Sequence, residues 1–252
     1  VVTWGDPECG GDSTAVQNEL KNVQTICAAR CAFAAILADE TVVTWGHPDC
    51  GGNSTAVQNQ LKCVQQICAT HTAFAAIVAD GSVVTWGNPT GGGDSTAVQD
   101  QLKNVQHICG SAMAFAAILA DGSVVTWGDS RVGGNSTVVQ YELKNVQHIH
   151  ATLYAFAAIL ADETVVTWGR SDFGGDSTEL RDQLRKVKQI CSTQCAFAAI
   201  LEDGTVVTWG QPSLGSDTTA VQNQLRDVTQ ICHAALHLPL LRSQETELSS
   251  PG

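Results

Sequence analysis

The chain has 252 residues, 44% of them apolar and only 15% charged, with a net charge of −12 from 25 acids against 13 bases. That composition can bury a core and excludes a charge-rich disordered chain or a long solvent-exposed coiled coil. The acidic balance repels phosphate and disfavours nucleic acid as a partner, and no apolar run approaches the ~20 residues that span a bilayer. The sequence opens on Val1 without a Met, so a fragment or a processed chain is expected, with any targeting segment outside it.

Trp4, Trp45, Trp86, Trp127, Trp168 and Trp209 recur every 41 residues, and self-similarity at a fixed period sets the architecture. The second unit shows the elements in order. VVTWG (42–46) is β-branched and aromatic and predicts a strand. Gly51-Gly52 predicts a sharp reversal. Thr55 and Gln58 match a capping box, and Val57, Leu61 and Val64 follow at helical spacing, so a helix of about two turns is expected. QQICA (65–69) predicts a short strand, and AFAAIVA (73–79), apolar on both faces, a buried one. Asp80-Gly81 predicts a two-residue hairpin turn, in which φ must be positive. Glu40 and Glu163 replace that Gly in two units, so their turns are expected to differ.

Each unit is therefore a three-stranded meander with a short helix, too small to cover both faces of its hairpin. Stacked neighbours cover it, with small residues such as Ala75 and Ala76 permitting close approach. The expected fold class is mainly β with short helices, a closed β-propeller-like ring of about six blades. An open β/α solenoid is the alternative. Closure is expected because an open stack would leave VVTWG as a bare edge. The last unit, through a degenerate LHLPLL (236–241), also lacks the VVTWG strand that Val1–Gly5 could supply. One domain over 1–241 and a polar tail over 242–252 are expected.

In the order VVTWG, GGDST, AVQNQL, NVQTICA and AAILADG, the units resemble the regulator of chromosome condensation repeat family. The resemblance covers nearly the whole chain. It implies a β-propeller serving protein–protein binding, guanine nucleotide exchange on a small GTPase, or substrate capture beside ubiquitin ligase domains. The units here are shorter than that family's, and no insertion stands out that could wedge into a GTPase. Exchange activity is not expected to carry over.

No residues are expected to be catalytic, to hold a metal or to bind a cofactor. The column Cys27, Cys68, Cys109, Cys191 and Cys232 reads as small buried hydrophobes, reduced and slow to react. Cys9 and Cys50, in loops, are expected to react first, and several reduced thiols suggest an intracellular setting. His148 and His150 could begin a metal site but lack a third ligand. The Ser column (Ser13, Ser54, Ser95, Ser136, Ser177) reads as helix caps. The Asp column (Asp39, Asp80, Asp121, Asp162, Asp203) reads as turn residues. The Trp column reads as core.

The copies disagree in two places: the turn after the first meander strand (Arg30-Cys31 to Gln194-Cys195) and the loop after Trp-Gly (Asp6–Cys9 to Gln211–Leu214). The meander brings both sets to one face, opposite the repeated Asp-Gly turns. A constant scaffold with diverse loops on one face is a binding geometry. The expected function is a non-enzymatic scaffold binding another protein, with candidate residues Arg30, His71, Met113, Arg131, Leu153, Tyr154, Arg170, Phe173 and Gln194. No nucleic acid and no membrane insertion are expected, and a place in a larger assembly is compatible with this reading. The alternative is a regulatory subunit or a guanine nucleotide exchange factor-like protein. A thiol or metal protein is a third and weaker reading.

Overall fold

The computed structural model describes residues 1–221 and 224–231. The expectations for Cys232, for LHLPLL (236–241) and for the 242–252 tail lie outside the described residues. Strands β1 (Val23–Ala28), β2 (Ala32–Leu37) and β3 (Val42–Gly46) form the first antiparallel sheet. β4 (Val64–Ala69), β5 (Ala73–Val78) and β6 (Val83–Gly87) form the second, and β7 (Val105–Gly110), β8 (Ala114–Leu119) and β9 (Val124–Gly128) the third. β10 (Val146–Ala151), β11 (Ala155–Leu160) and β12 (Val165–Gly169) make the fourth. β13 (Val187–Ser192), β14 (Ala196–Leu201) and β15 (Val206–Gly210) make the fifth. The middle strand of each sheet is the buried AFAAI segment. Each first strand carries one bulge near its start, between Val64 and Gln66 in the second unit, which bends that strand.

Two expectations about local structure need correction. The segment after Thr55 does not form a two-turn helix. It is a run of turns closed mostly by bonds to the third residue back, such as Val57 N–H to the Ser54 carbonyl at 2.9 Å. In three units it tightens into a single 3-10 turn (Thr14–Val16, Thr96–Val98, Thr178–Leu180). The reason lies in the side chains. Gln58 does not close a capping box; its Nε2 donates to the Val42 carbonyl at 2.9 Å, and its Oε1 accepts from Ser54 Oγ at 2.8 Å. Ser54 Oγ in turn lies 3.0 Å from Thr44 Oγ1. This chain ties the segment back to the strand before it, and Cys63 at φ 52° ends it. The buried Ser column therefore does not cap a helix. Asn53 and its equivalents take that role, accepting from the N–H two residues on, as Asn53 does from Thr55 at 2.9 Å.

The Asp-Gly turn is longer than expected. Leu37 N–H donates to the Thr41 carbonyl and Glu40 N–H to the Leu37 carbonyl, so three residues lie inside the loop and only the last has positive φ. Glu40 and Glu163 adopt φ 63° and 64°, beside 77° for Gly81, Gly122 and Gly204. All five turns share one shape. The Asp carboxylate enforces it: Asp80 Oδ1 accepts from the Ser82 N–H at 2.8 Å, the Asx-turn chemistry that favours Asp there.

The cores lie between consecutive units. One cluster joins Ala32, Ala34 and Val42 of the first sheet to Phe74 and Trp86 of the second and to Leu61 in the turn segment before it. Trp86 stacks on Phe74 with ring centroids 5.2 Å apart, and its indole N–H reaches the Gly51 carbonyl at 3.0 Å. Gly51, at φ 89°, lies flat on that pair; a Cβ there would stand 2.6 Å from the Phe74 ring. Only glycine permits both the conformation and the approach. The same contact recurs from Trp45 to Trp209, all of them 4–5% exposed. Trp4 is 84% exposed, and Val1–Gly5 forms no strand. Among the described residues no sheet closes on itself.

Candidate interaction face

Both variable sets come to one face, and their backbones interlock. The first residue of each hairpin turn donates its N–H to the carbonyl of its equivalent in the next unit: Arg30 to His71, His71 to Ala112, Ala112 to Leu153 and Leu153 to Gln194, at 2.8–2.9 Å. One ladder of main-chain bonds thus runs across five units. The second turn residue meets the loop after Trp-Gly. Tyr154 touches Phe173, Met113, Val132 and Tyr154 belong to one core cluster, and Cys31 is bonded to Cys9. Loop and turn residues therefore alternate along a second row, from Cys9, Cys31 and Cys50 at one end, past Thr72 and Gly91, to Phe173 and Cys195.

The fourth and fifth units carry the largest side chains in these rows. Tyr154 and Phe173 meet edge to face with centroids 4.6 Å apart. The Arg170 guanidinium lies 5.3 Å from the Tyr154 ring centroid and 4.8 Å from that of Phe173. Arg170 also grips Asp172, with Nε 3.0 Å from Oδ1, and that bond holds the Asp172 carboxyl below its ordinary value. Both rings are half-buried, Phe173 against the core between the fourth and fifth sheets. The group is a cation over two aromatic rings with a carboxylate beside it, a geometry that is attractive in itself.

The candidate residues are not all gathered there. Leu153 adjoins Tyr154 on the ladder. Arg131, with 83% of its side chain exposed, forks onto Asp129 instead, with Nη2 2.7 Å from Oδ2. Met113 packs against the core between the third and fourth sheets. Arg30, His71 and Gln194 are exposed ladder positions. Desolvation of the ring and then the Arg30 charge lower the His71 pKa, which favours the uncharged imidazole.

Cysteine needs a correction. Cys9 and Cys31 are joined in a disulfide, so Cys9 is not among the first thiols to react. The ground for expecting an intracellular setting fails at these two residues. Both lie in variable turns of one face, and that shared placement is the signal in the sequence for their meeting. Cys27, Cys68 and Cys109 are free thiols of intermediate exposure, and the Cys191 thiol donates to the Ile231 carbonyl at 3.0 Å. Burial pushes Cys27 up to about 11 and Cys109 up to about 12, values at which a thiol is protonated and inert.

One feature was not foreseen from sequence. The first strands of neighbouring sheets line a cavity of about 590 Å³ whose walls include Ile67, Cys68, His107, Cys109 and His148. Burial, with His148 as a smaller cause, lowers the His150 pKa to about 4. Among the described residues no three His, Cys, Asp or Glu side chains are grouped to hold a metal. No helix among them is long and apolar enough to cross a membrane.

No protein-family model and no curated protein matches the sequence. Among solved structures, the chain is similar to Prp20p from Saccharomyces cerevisiae, whose structure is described with its binding properties to Gsp1p and histones. The TM-score is 0.54 and the identity 17% over 78% of this chain and 59% of that one. It is also similar to yeast RCC1 (Prp20) bound to Kap60, at TM-score 0.53 and 16% identity over 78% of this chain and 57% of that one. A third likeness is the CRINKLY WD40 ectodomain of the Arabidopsis thaliana receptor kinase ACR4, at TM-score 0.50 and 16% identity over 73% of this chain and 67% of that one. The chain thus spans less than two thirds of the two yeast structures, and what it shares with all three is a fold: the mainly β, RCC1-type propeller-like stack of repeated antiparallel sheets.

Proposed function

We propose that the chain is a non-enzymatic repeat scaffold that binds another protein through the face carrying both variable sets. The observation that supports this most is the Tyr154–Phe173 pair with Arg170 across it. Aromatics and Arg dominate interface energetics, and truncating one at a hot spot costs about 2 kcal/mol or more. The partner is a protein rather than nucleic acid, since a chain of net charge −12 repels phosphate. The test is capture from cell extract by immobilised wild type, Tyr154→Ala, Arg170→Ala and Asp121→Asn. Loss of a shared set of proteins in the first two variants and its retention in the third is expected. Equal capture by all four would end this reading.

On the same reading, the six units form a propeller-like ring of about six blades rather than an open β/α solenoid, with Val1–Gly5 as the third strand of the last blade. Val1–Gly5 already makes its equivalents' ties, Thr3 Oγ1 to Ser13 Oγ at 2.9 Å and Gln17 Nε2 to the Val1 carbonyl at 3.0 Å. A Cβ on Gly5 or Gly215 would meet only open space, whereas their counterparts press on neighbours. In a ring, deleting residues 1–5 lowers stability by several kcal/mol, about as much as a buried Trp→Ala change. An unchanged unfolding midpoint would exclude closure. A second reading, regulation of or nucleotide exchange on a small GTPase, rests on the fold likeness to Prp20p. Accelerated nucleotide release from a panel of small GTPases would favour it.

A further inference from the structure

We propose that Cys9, Cys31 and Cys50 form a thiol–disulfide exchange site, in which the Cys50 thiol displaces Cys9 from Cys31 and moves the disulfide from one loop to the next. The repeat places them together. Cys31 is a hairpin-turn residue, bonded to Cys9 in the loop before it. The loop after it begins on the same residue: His47 N–H donates to the Cys31 carbonyl at 2.7 Å, and Cys50 N–H donates to the His47 carbonyl at 3.0 Å. One unit later the positions equivalent to Cys31 and Cys50 are Thr72 and Gly91, and a Cβ on Gly91 would stand 3.5 Å from the Thr72 Cβ. Disulfide-linked Cβ atoms lie about 3.5–4.5 Å apart. Three units on from Cys31 and Cys50, Tyr154 and Phe173 occupy the same two positions and are in contact. The repeat therefore sets Cys31 between Cys9, to which it is bonded, and Cys50, whose equivalent position one unit on lies within disulfide Cβ range of the turn; Cys50 is free and partly exposed.

The step is redox-neutral. Cys50 gives its proton to solvent, and the thiolate attacks the Cys31 sulfur. The Cys31–Cys50 bond forms as the Cys9–Cys31 bond breaks, and Cys9 leaves with the electron pair and takes up a proton. No oxidant is consumed, and the rate follows the thiolate fraction. The outcome is a change of staple: residues 6–11 are released and residues 47–52 become tied to the first hairpin turn.

Cleavage after Lys, Arg and Glu separates the three residues, placing Cys9 in 9–19, Cys31 in 31–40 and Cys50 in 41–62. The native chain is held at about pH 8.5, near the ordinary thiol pKa, without added oxidant, then quenched in acid, alkylated, cleaved and mapped by mass spectrometry. The pair 31–40/41–62 is expected to grow with time, matched by alkylated Cys9, and to be absent from Cys50→Ser. Cys9→Ser, mildly oxidised, is expected to yield that same pair. Native intrinsic Trp fluorescence in each variant shows that it has folded. Wild type that keeps only the 9–19/31–40 pair, with no 31–40/41–62 signal above the Cys50→Ser control, would overturn the proposal. So would folded, oxidised Cys9→Ser in which Cys31 and Cys50 both alkylate.

Discussion

The two ends of each meander are built on different chemistry. At the Asp-Gly end a side chain holds the backbone: Asp39, Asp80, Asp121, Asp162 and Asp203 each accept the N–H two residues on. At the opposite end the backbone holds itself, through the ladder from Arg30 to Gln194 and through bonds such as His47 N–H to the Cys31 carbonyl. Side-chain bonds there are optional. Asp129 caps its loop, while Arg170 in the same position makes no capping bond. Sequence is constrained where a side chain is the fastener and free where the main chain is. The diversity of the second face therefore follows from its construction, and the binding reading rests on which residues occupy it, above all Tyr154, Arg170 and Phe173.

The sharpest break in this contrast is the fixed glycine that closes each variable loop. Gly92 at φ 96° would place a Cβ 2.6 Å from the Phe115 ring, so Gly92→Ala should combine left-handed strain with overpacking and cost about 3 kcal/mol. Urea unfolding monitored by Trp fluorescence measures it; a loss under ~1 kcal/mol would show that the loop yields. Next in size, Phe173→Ala removes a half-buried ring from the core edge and should cost about 1–2 kcal/mol, leaving a folded chain by circular dichroism. Thr72 sharpens the contrast with the opposite sign. Its Oγ1 is the buried side-chain oxygen without a hydrogen bond among the described residues, so Thr72→Val should raise stability by about 1 kcal/mol.

The smallest effect belongs to the Asp-Gly end. Hydrogen bonds from Ser or Thr lower the pKa of Asp39, Asp80 and Asp121. A depressed folded value means a contribution that is complete above the ordinary carboxyl pKa of about 3.9 and lost as pH falls through the lower folded value. The melting temperature should therefore drop on acidification below about pH 4, and slightly less steeply in Asp121→Asn. A parallel drop in the variant would show that this turn contributes nothing to acid sensitivity.

Much of this was readable because fasteners made of side chains leave a mark in sequence. AFAAIVA and VVTWG announced strands through β-branched and apolar runs, and Asp80-Gly81 announced a turn. The helix expected after Thr55 failed because Gln58 fits a capping box on paper but spends its amide on the Val42 carbonyl, a strand no local pattern can see. Ser54 misled for the same reason, its hydroxyl facing Thr44 rather than a helix end. The equivalence of Glu40 to Gly81 was hidden because the Asp before each dictates the turn and the αL residue follows. The ladder left no trace at all, since every residue type except proline carries the N–H and carbonyl it uses. The disulfide between Cys9 and Cys31 needed the loop-to-turn alternation, which appears only once units are stacked.

The ladder also bears on how such a chain can lengthen. Each rung joins the same pair of main-chain atoms one unit apart, and each indole from Trp45 to Trp209 meets a glycine carbonyl in the unit before. Every unit thus presents one socket and one plug, identical along the described stack. A duplicated 41-residue segment would inherit both and dock without any change to its neighbours, so copy number is the cheapest variable this architecture offers to unequal recombination. Point changes at Arg30-type positions can then give each new copy its own surface without disturbing the joint that admitted it.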